Sequence, residues 1–404
     1  MWYAGIDWSD THHDVMVIDD VGKQVVSKRV AHTKAGLDQL VVLLQGILGS
    51  EPKEQMACVV ETNHGLLITT LLEAGFAVYP VHPKTVDRRR GAAGGKTDQI
   101  DAYLLAKYGR AELADLRKLQ PDSPGIAELK ALTRDQESLI EMQTRLVNQL
   151  TACLKGYYPV ALSLFTKLQQ RSTLLFLQAS PTPADALAAT EAHLAQTLKQ
   201  GKHPKAQAVA AKIFQHLRQP SLTADEVTIR TKARLMKALV LQLLPLVEQI
   251  AEYEEAIETL FLSHADNALF ASLPGAGQRL APRLLAEIGD DRERYPNAQG
   301  LAALAGTAPV LYQSGNFSKA HRRHACLKHL RNALYQFAWQ STRSQVWARE
   351  YCQRKRKEGK SHSVALRALW NIWVRIIYAM WRTRRPYDPA VFEKARHDHA
   401  LMAA

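Results

Sequence analysis

The sequence predicts an α/β domain followed by a mostly helical region. Within residues 1–110, short β-like runs alternate with amphipathic helical patterns. From 126 to 156, and again from 227 to 262, apolar residues recur at the spacing of one helix face. With 404 residues, the chain is long enough for two or three domains with their own cores. The fold class is therefore α/β plus α.

The α/β part begins with three predicted strands, in MWYAGIDWS, DVMVID and KQVVSKRVAH. A helix in AGLDQLVVLLQGIL follows, and then a strand in ACVVET. A second helix, LLITTLLEAG, ends at Gly75, and the strand FAVYPVHP ends at Pro83. A third helix is predicted in KTDQIDAYLLAKYG, where apolar residues return at helical spacing. The order is three strands and then βα units.

Four acidic residues occupy marked positions in this pattern. Asp7 and Glu61 each end a strand, and Asp98 and Asp101 lie three apart in the first turn of the third helix. That helical spacing projects both carboxylates from one face, and neighbouring carboxylates attract a hard divalent cation. The alternative is that Asp98 caps the helix and Asp101 complements its dipole. Asp7 and Glu61, at the ends of two strands, favour a shared metal site over this alternative.

Charge is unevenly distributed along the chain. Residues 301–404 hold 19 Lys and Arg against 5 Asp and Glu, so this quarter carries the whole basic excess. A concentrated positive field favours a polyanionic partner, because each neutralised phosphate releases a counterion. The four cysteines are far apart and form no CxxC motif, which argues against a disulfide framework or a zinc finger. No apolar run approaches the ~18 residues of a membrane span, so we expect a cytoplasmic protein.

The middle of the chain is predicted to hold two long helices that form an antiparallel pair or coiled coil. Between them, residues 157–226 contain five prolines and short alanine-rich segments. No chemistry is assigned to this insertion, and a structural or dimerisation role is the default expectation.

Several segments are candidates for contact with nucleic acid. The turn LPGAGQ between two helices is typical of a helix-hairpin-helix, in which Gly275 and Gly277 let backbone N–H groups approach a phosphate. An ordinary glycine turn explains it about as well. The basic loop before Asp98 can contact phosphates, or can be an exposed charged loop. The candidate basic residues are Arg88, Arg89, Arg90, Lys96, Lys319, Arg322, Arg323, Lys328, Arg331, Arg354, Lys355, Arg356 and Lys357.

The last predicted helix carries Trp370, Trp373, Ile377 and Trp381 on one face. Their helical spacing favours core packing over base stacking.

The order strand acid, strand acid, helix acid, helix acid resembles the RuvC-like, ribonuclease H type of nuclease fold. A second motif, in 301–338, combines Gly306 and Pro309, the pair Ser314-Gly315, and the pair Leu330-Arg331. Together they resemble the DEDD recombinases of the insertion-sequence family numbered one hundred and ten, which includes the Piv-type DNA invertases. The resemblance covers roughly residues 1–115 and 265–345. One departure is Cys326-Leu327, where many relatives have Gly-Asn.

The resemblance implies a RuvC-like DEDD catalytic domain (1–115) and a serine-containing transposase domain with a basic end (265–404). The helical spacing predicts a helical or coiled-coil linker between them (116–264), with the insertion at 157–226. It implies that Asp7, Glu61, Asp98 and Asp101 hold Mg²⁺. It also implies that Ser314, beside Gly315, is the nucleophile that forms a phosphoserine link to DNA. Ser318 is the one local competitor. The implied partners are donor and target DNA, a structured guide RNA, and further copies of the chain in a dimer or tetramer.

Two other functions remain open at this point. The chain can be a RuvC-like metal-dependent nuclease that uses water, with Ser314 structural. It can also be a non-catalytic nucleic-acid-binding protein, in which the acids are helix caps and solvated strand ends.

Overall fold

The computed structural model describes residues 1–82, 97–315, 317–391 and 393–394. By their contacts they form two compact units, Met1–Pro121 and Asp122–Ala404. The first is mixed α/β and the second is mostly helical, in agreement with the predicted fold class. The division into 1–115, 116–264 and 265–404 stays a prediction.

The first unit contains one sheet in the described residues, with strand order β3-β2-β1-β4-β5. β1 to β3 are antiparallel neighbours, while β4 pairs with β1 and β5 pairs with β4 in parallel. This is the predicted order of three strands and then βα units. The strands are β1 Trp2–Trp8, β2 His12–Ile18, β3 Gln24–Ala31, β4 Met56–Val60 and β5 Ala77–Pro80. The helices are α1 Lys34–Leu48, α2 Leu66–Glu73 and α3 Asp98–Glu112, with 3-10 turns at Lys53–Gln55 and Leu113–Asp115.

Each face of this sheet is covered, because successive strand side chains point to opposite faces. Ile6, Val15 and Val60 belong to the core cluster that includes residues of α1 and α2. On the other face, Tyr3 and Met16 cluster with residues of α3. The sheet is therefore a central layer between helices.

The second unit consists mainly of helices. They are α4 Pro124–Lys155, α5 Val160–Leu164, α6 Arg171–Ala179, α7 Pro183–Ala188, α8 Glu191–Gln200, α9 Ala206–Leu217, α10 Glu226–Ser263, α11 Asn267–Ala271, α12 Gly277–Ile288, α13 Ala298–Leu304, α14 Lys328–Ser344, α15 Val346–Lys357 and α16 His362–Thr383. Strands β6 Val310–Ser314 and β7 Phe317–His321 form an antiparallel hairpin before α14.

The long helices α4 and α10 pack against each other as an antiparallel pair. Ile126, near the start of α4, shares a core cluster with Ile257 near the end of α10. Leu154, near the end of α4, shares a different cluster with Met236 near the start of α10. Helix α10 continues through Pro245 without a break. Coiled-coil packing of the pair stays a prediction.

These two clusters are separate hydrophobic cores. The first gathers α11 to α16 around one end of the helix pair, and the second gathers α5 to α9 around the other end. In the first core, Trp373 donates a hydrogen bond to Ser341 Oγ at 2.8 Å, and Trp381 donates one to the Gly289 carbonyl oxygen at 2.7 Å. Both indole rings are fully buried, as their helical spacing predicted.

Among the described helices, none has both the length and the apolar character needed to cross a bilayer.

Candidate active site

The pairing of the strands in the first unit brings three carboxylates to one edge of the sheet. Asp7, near the end of β1, lies directly opposite Asp14 of β2 in the antiparallel register. Ile6 pairs with Val60 in the parallel register, and the residues that follow are Asp7 and Glu61. Facing residues in neighbouring strands point to the same side of a sheet. Acidic side chains therefore lie at one edge of the sheet, on the face that α3 covers.

Helix α3 supplies the other two carboxylates. Its N-cap is Thr97, whose hydroxyl accepts a hydrogen bond from the Ile100 N–H, so Asp98 is the first helical residue and not the cap. Asp101 follows in the same turn and is buried, whereas the side chain of Asp98 is 56% exposed. Gly5 of β1 allows the backbone of α3 to approach the sheet closely. The start of α3 is thereby held beside the end of β1.

Asp7 responds electrostatically to all of these acids. Its pKa is raised from its ordinary value to about 6, first by burial and then by the charges of Asp101, Asp98, Glu61 and Asp14. Coulombic effects of this kind fall off with distance. The structure therefore brings the four acids predicted from the sequence into one electrostatically coupled group. Their catalytic role stays a prediction.

A fifth acid, Asp14, is paired with an arginine. Asp14 lies opposite Arg29 of β3, and its side chain is 3% exposed. Arg29 Nε lies 3.1 Å from both carboxylate oxygens of Asp14, and Nη2 donates to Oδ2 at 2.8 Å. The same Nη2 donates to Asp98 Oδ2 at 3.2 Å. His12 Nε2 lies 3.7 Å from an oxygen of each acid.

The sequence did not single out the cluster that His12 and Asp14 form with Asp98. One ligand atom each from His12, Asp14 and Asp98 lie within 4.8 Å of one another. A signal was present, because Asp14 shares its strand face with Met16 and Ile18, which are buried. A carboxylate at a core position of a strand needs a charged partner. Arg29 is that partner.

Ser314 is the last residue of β6 and pairs with Phe317 of β7. It lies at the tip of the hairpin and is exposed. Gly315 follows with φ of 54°, and a Cβ there would meet nothing within 4 Å. This glycine is therefore required by the backbone conformation and not by crowding. Ser314 belongs to the second compact unit, and the carboxylates belong to the first.

The glycine turn predicted in LPGAGQ is present between α11 and α12. Gly275 and Gly277 both have positive φ. A Cβ on Gly275 would lie 2.8 Å from Ser344 Oγ, so this residue packs against α14, whereas Gly277 faces open space at the start of α12. Only Gly277 has the free approach that a phosphate would need. The nucleic-acid role of both stays a prediction.

The predicted basic contacts differ in accessibility. Exposed residues are Lys319, Arg322, Lys328, Arg354, Arg356 and Lys357. Arg323 and Arg331 are half-buried, and Arg323 Nε donates to the Ala308 carbonyl oxygen at 3.3 Å. Lys355, half-buried, pairs with Glu358 at 2.7 Å. Arg88, Arg89, Arg90 and Lys96 lie outside the described residues.

Comparison with known proteins defines the class. A family model described as a transposase, of DEDD type, matches residues 4–159. A second, described as transposase of the IS116/IS110/IS902 family, matches residues 267–353. The carboxylate group lies within the first match and Ser314 within the second. The chain is therefore a transposase, an enzyme that cleaves DNA and transfers its strands.

Full-length relatives define the family. The chain is 31% identical over 397 residues to the mini-circle protein for IS117 of Streptomyces coelicolor, covering 96% of this chain and 95% of that one. It is 30% identical over 398 residues to a 42 kDa protein of insertion element IS900 of Mycobacterium paratuberculosis, covering 96% and 97%. The pilin gene-inverting protein of Moraxella bovis is 31% identical over 131 residues, covering 31% of this chain and 40% of that one. The chain belongs to the IS110 family of transposases.

Proposed function

We propose that this transposase is a serine-using, Mg²⁺-dependent DNA recombinase. In this proposal Asp7, Glu61, Asp98 and Asp101 form the metal site of a RuvC-like domain, and Ser314 is the nucleophile. The observation that supports it most directly is the raised pKa of Asp7, whose largest cause is burial and whose further causes include the charges of Asp101, Asp98 and Glu61. Mutual repulsion of this kind is relieved when a cation is shared between the carboxylates.

The donor set suits a hard divalent cation, since the four side chains offer only carboxylate oxygens. A Mg²⁺ ion bound there would neutralise charge on the scissile phosphate and on the attacking and leaving oxygens. The protein's part is to position the oxygens, which the β1 and β4 strand ends and the first turn of α3 do. Burial of Asp101 restricts its side chain and so fixes part of the site in advance.

The proposed covalent step is a transesterification. The Ser314 Oγ attacks a backbone phosphorus, a new O–P bond forms, and the bond from phosphorus to the leaving deoxyribose oxygen breaks. The serine proton passes to a base or solvent, and the leaving oxygen ends as a hydroxyl. The exposed tip position of Ser314 leaves room for a DNA backbone, and Gly315 adds no side chain beside it. Because the phosphoester is retained, strands can be rejoined without ATP.

The proposed partners are donor and target DNA, a structured guide RNA, and other copies of the chain in a dimer or tetramer. The basic excess of residues 301–404 supports a nucleic-acid partner. The similarity to a pilin gene-inverting protein supports DNA rearrangement as the reaction. The RNA and the oligomer are implied by the family resemblance. The proposed regions are 1–115, 116–264 and 265–404, with activity in the first and third.

The test is covalent trapping on a nicked DNA that carries the ends of the element. We expect an adduct that survives denaturation, disappears in Ser314→Ala and persists in Ser318→Ala. Cleavage with no adduct would identify a nuclease that uses water. Binding with no cleavage by the wild type would identify a non-catalytic binder. Asp7→Asn and Asp101→Asn should abolish cleavage and leave DNA affinity unchanged or raised.

A further inference from the structure

Arg29 connects the buried and exposed acids of the carboxylate group. Asp7, Asp14 and Arg29 form one row across β1, β2 and β3, since each faces the next in the strand register. From the end of this row, Arg29 Nη2 contacts Asp14 Oδ2 and Asp98 Oδ2. Its guanidinium thus links Asp14 of β2 to the first turn of α3, beside His12 Nε2, which lies 3.7 Å from an oxygen of each of the two acids.

The two contacts of Arg29 differ in strength. Asp14 is buried, and both of its oxygens accept hydrogen bonds from Arg29 in a fork-like geometry. Asp98 accepts through one oxygen at 3.2 Å, and both partners are more than half exposed. An exposed single contact is weak and easily exchanged. The pair with Asp14 is bidentate, and breaking it would leave a buried carboxylate without its charged partner. The Asp14 contact is the fixed one, and the Asp98 contact is the exchangeable one.

We propose that Arg29 is a built-in counter-ion that holds Asp98 in the metal-free protein and competes with the divalent cation for it. This inference rests on the proposed metal site. When a cation binds, Asp98 leaves Arg29 for the cation, and Arg29 remains with Asp14. Asp14 therefore acts as the anchor of Arg29 and not as a ligand, because both of its oxygens are already hydrogen-bonded.

Loss of the Arg29 charge should strengthen cation binding. Removing the Arg29 charge frees Asp98 and removes the repulsion between a guanidinium and a divalent ion. For charges +1 and +2 about 6 Å apart in a water-like dielectric, that repulsion corresponds to roughly a tenfold change in affinity. Arg29→Gln should therefore bind the cation about tenfold more tightly. A residue that merely oriented Asp98 would show the opposite change.

The experiment is titration of the full chain with Mg²⁺ by calorimetry and with Mn²⁺ by electron paramagnetic resonance, without DNA. The matched control is Arg110→Gln, which removes the same charge at the far end of α3, where Arg110 donates to the Asp20 carbonyl oxygen. Arg110 follows Asp98 by 12 residues, or about 18 Å along α3. We expect a change of less than about twofold in the control.

A second variant guards against misfolding of Arg29→Gln, which leaves the buried Asp14 unpaired. Asp14→Asn/Arg29→Gln removes both charges and keeps polar groups in both positions. It still frees Asp98, so binding should tighten by about threefold, the scale of one exposed ion pair. Cation binding that is unchanged or weaker in folded Arg29→Gln overturns this inference but not the proposed metal site. If Arg29→Gln does not fold, the same result in the double variant overturns it. Absence of cation binding by the wild type overturns the proposed metal site as well.

Discussion

Gly5 of β1 and Ala102 of α3 are in backbone contact: a Cβ at position 5 would lie 2.0 Å from the Ala102 carbonyl oxygen. No side chain fits at that distance, so glycine is required there for the helix to lie on the sheet. Because Asp7 is two residues after Gly5 and Asp101 is one before Ala102, this contact sets the distance between the acids of the strand and those of the helix.

The first prediction concerns this contact. Gly5→Ala should lower the free energy of unfolding by about 1–3 kcal/mol, the usual cost of overpacking, and should weaken cation binding because α3 must move away from β1. The measurement is chemical denaturation together with Mg²⁺ titration. Gly46→Ala is the matched control, since position 46 is helical and open, and it should stabilise by about 0.5–1 kcal/mol. Equal effects of the two variants would contradict the prediction.

The second prediction concerns pH. The pKa of Asp7 is about 6 in the folded protein and lower in the unfolded chain, so the folded state binds more protons between about pH 4 and pH 6. Stability therefore falls as pH rises through this window. In metal-free protein at pH 7, Asp7→Asn should be more stable than the wild type by about 1 kcal/mol, after discounting for the partial exposure of Asp7.

Thermal denaturation in a chelator from pH 4 to pH 8 measures this difference. Asp115→Asn, an exposed acid just beyond the far end of α3, should leave the pH profile of the wild type unchanged. A profile of Asp7→Asn that still falls between pH 4 and pH 6 by the same amount would assign the pH dependence to another group.

The third prediction concerns the second unit. Glu287 of α12 is 1% exposed and accepts from Arg134 Nε at 2.7 Å and from Arg134 Nη2 at 2.9 Å. Glu287→Gln places a neutral amide at the buried position opposite the partly exposed Arg134 and should destabilise the protein by about 2 kcal/mol. Glu358→Gln, which removes the exposed acid that pairs with Lys355, should cost clearly less. Urea denaturation measures the loss of stability in each variant. Equal losses would show that the burial of Glu287 does not make its ion pair contribute more.

The fourth prediction concerns the basic end of α15. If Lys357 contacts a phosphate, Lys357→Gln should lower the slope of log affinity against log salt by about 1, with a uniform loss across DNA sequences. Fluorescence anisotropy at several salt concentrations measures the slope. Lys199→Gln, on α8 in the segment without assigned chemistry, is the matched control and should leave it unchanged. A loss confined to one DNA sequence would indicate base recognition instead.

The sequence was sufficient to place the four acids because each has a local signal. Asp7 and Glu61 end apolar runs, and strand ends that pair in register must meet at one rim. Asp98 and Asp101 are set by helical spacing alone. The structure adds that Thr97 is the N-cap residue of α3. The sequence alone had left open whether Asp98 caps the helix or holds a metal ion.

Arg29 could not be placed in the same way. Its pairing with Asp14 depends on the register of β2 and β3, which shifts between Val17 and Ile18. Such an irregularity is set by the turn and the packing on both faces, and no pattern in the strand sequences specifies it. The hairpin of β6 and β7 was likewise unpredicted, because a five-residue exposed strand has no buried face to produce alternation.

The two separate cores at opposite ends of the α4–α10 pair have a consequence for descent. Among the described residues, the buried apolar side chains of 157–217 belong to the core at one end of the pair. We therefore expect insertions and deletions there to be absorbed locally, while the other end keeps its own set of apolar partners. Related elements are then expected to tolerate differences in the length of segment 157–217 without loss of the scaffold that carries Ser314.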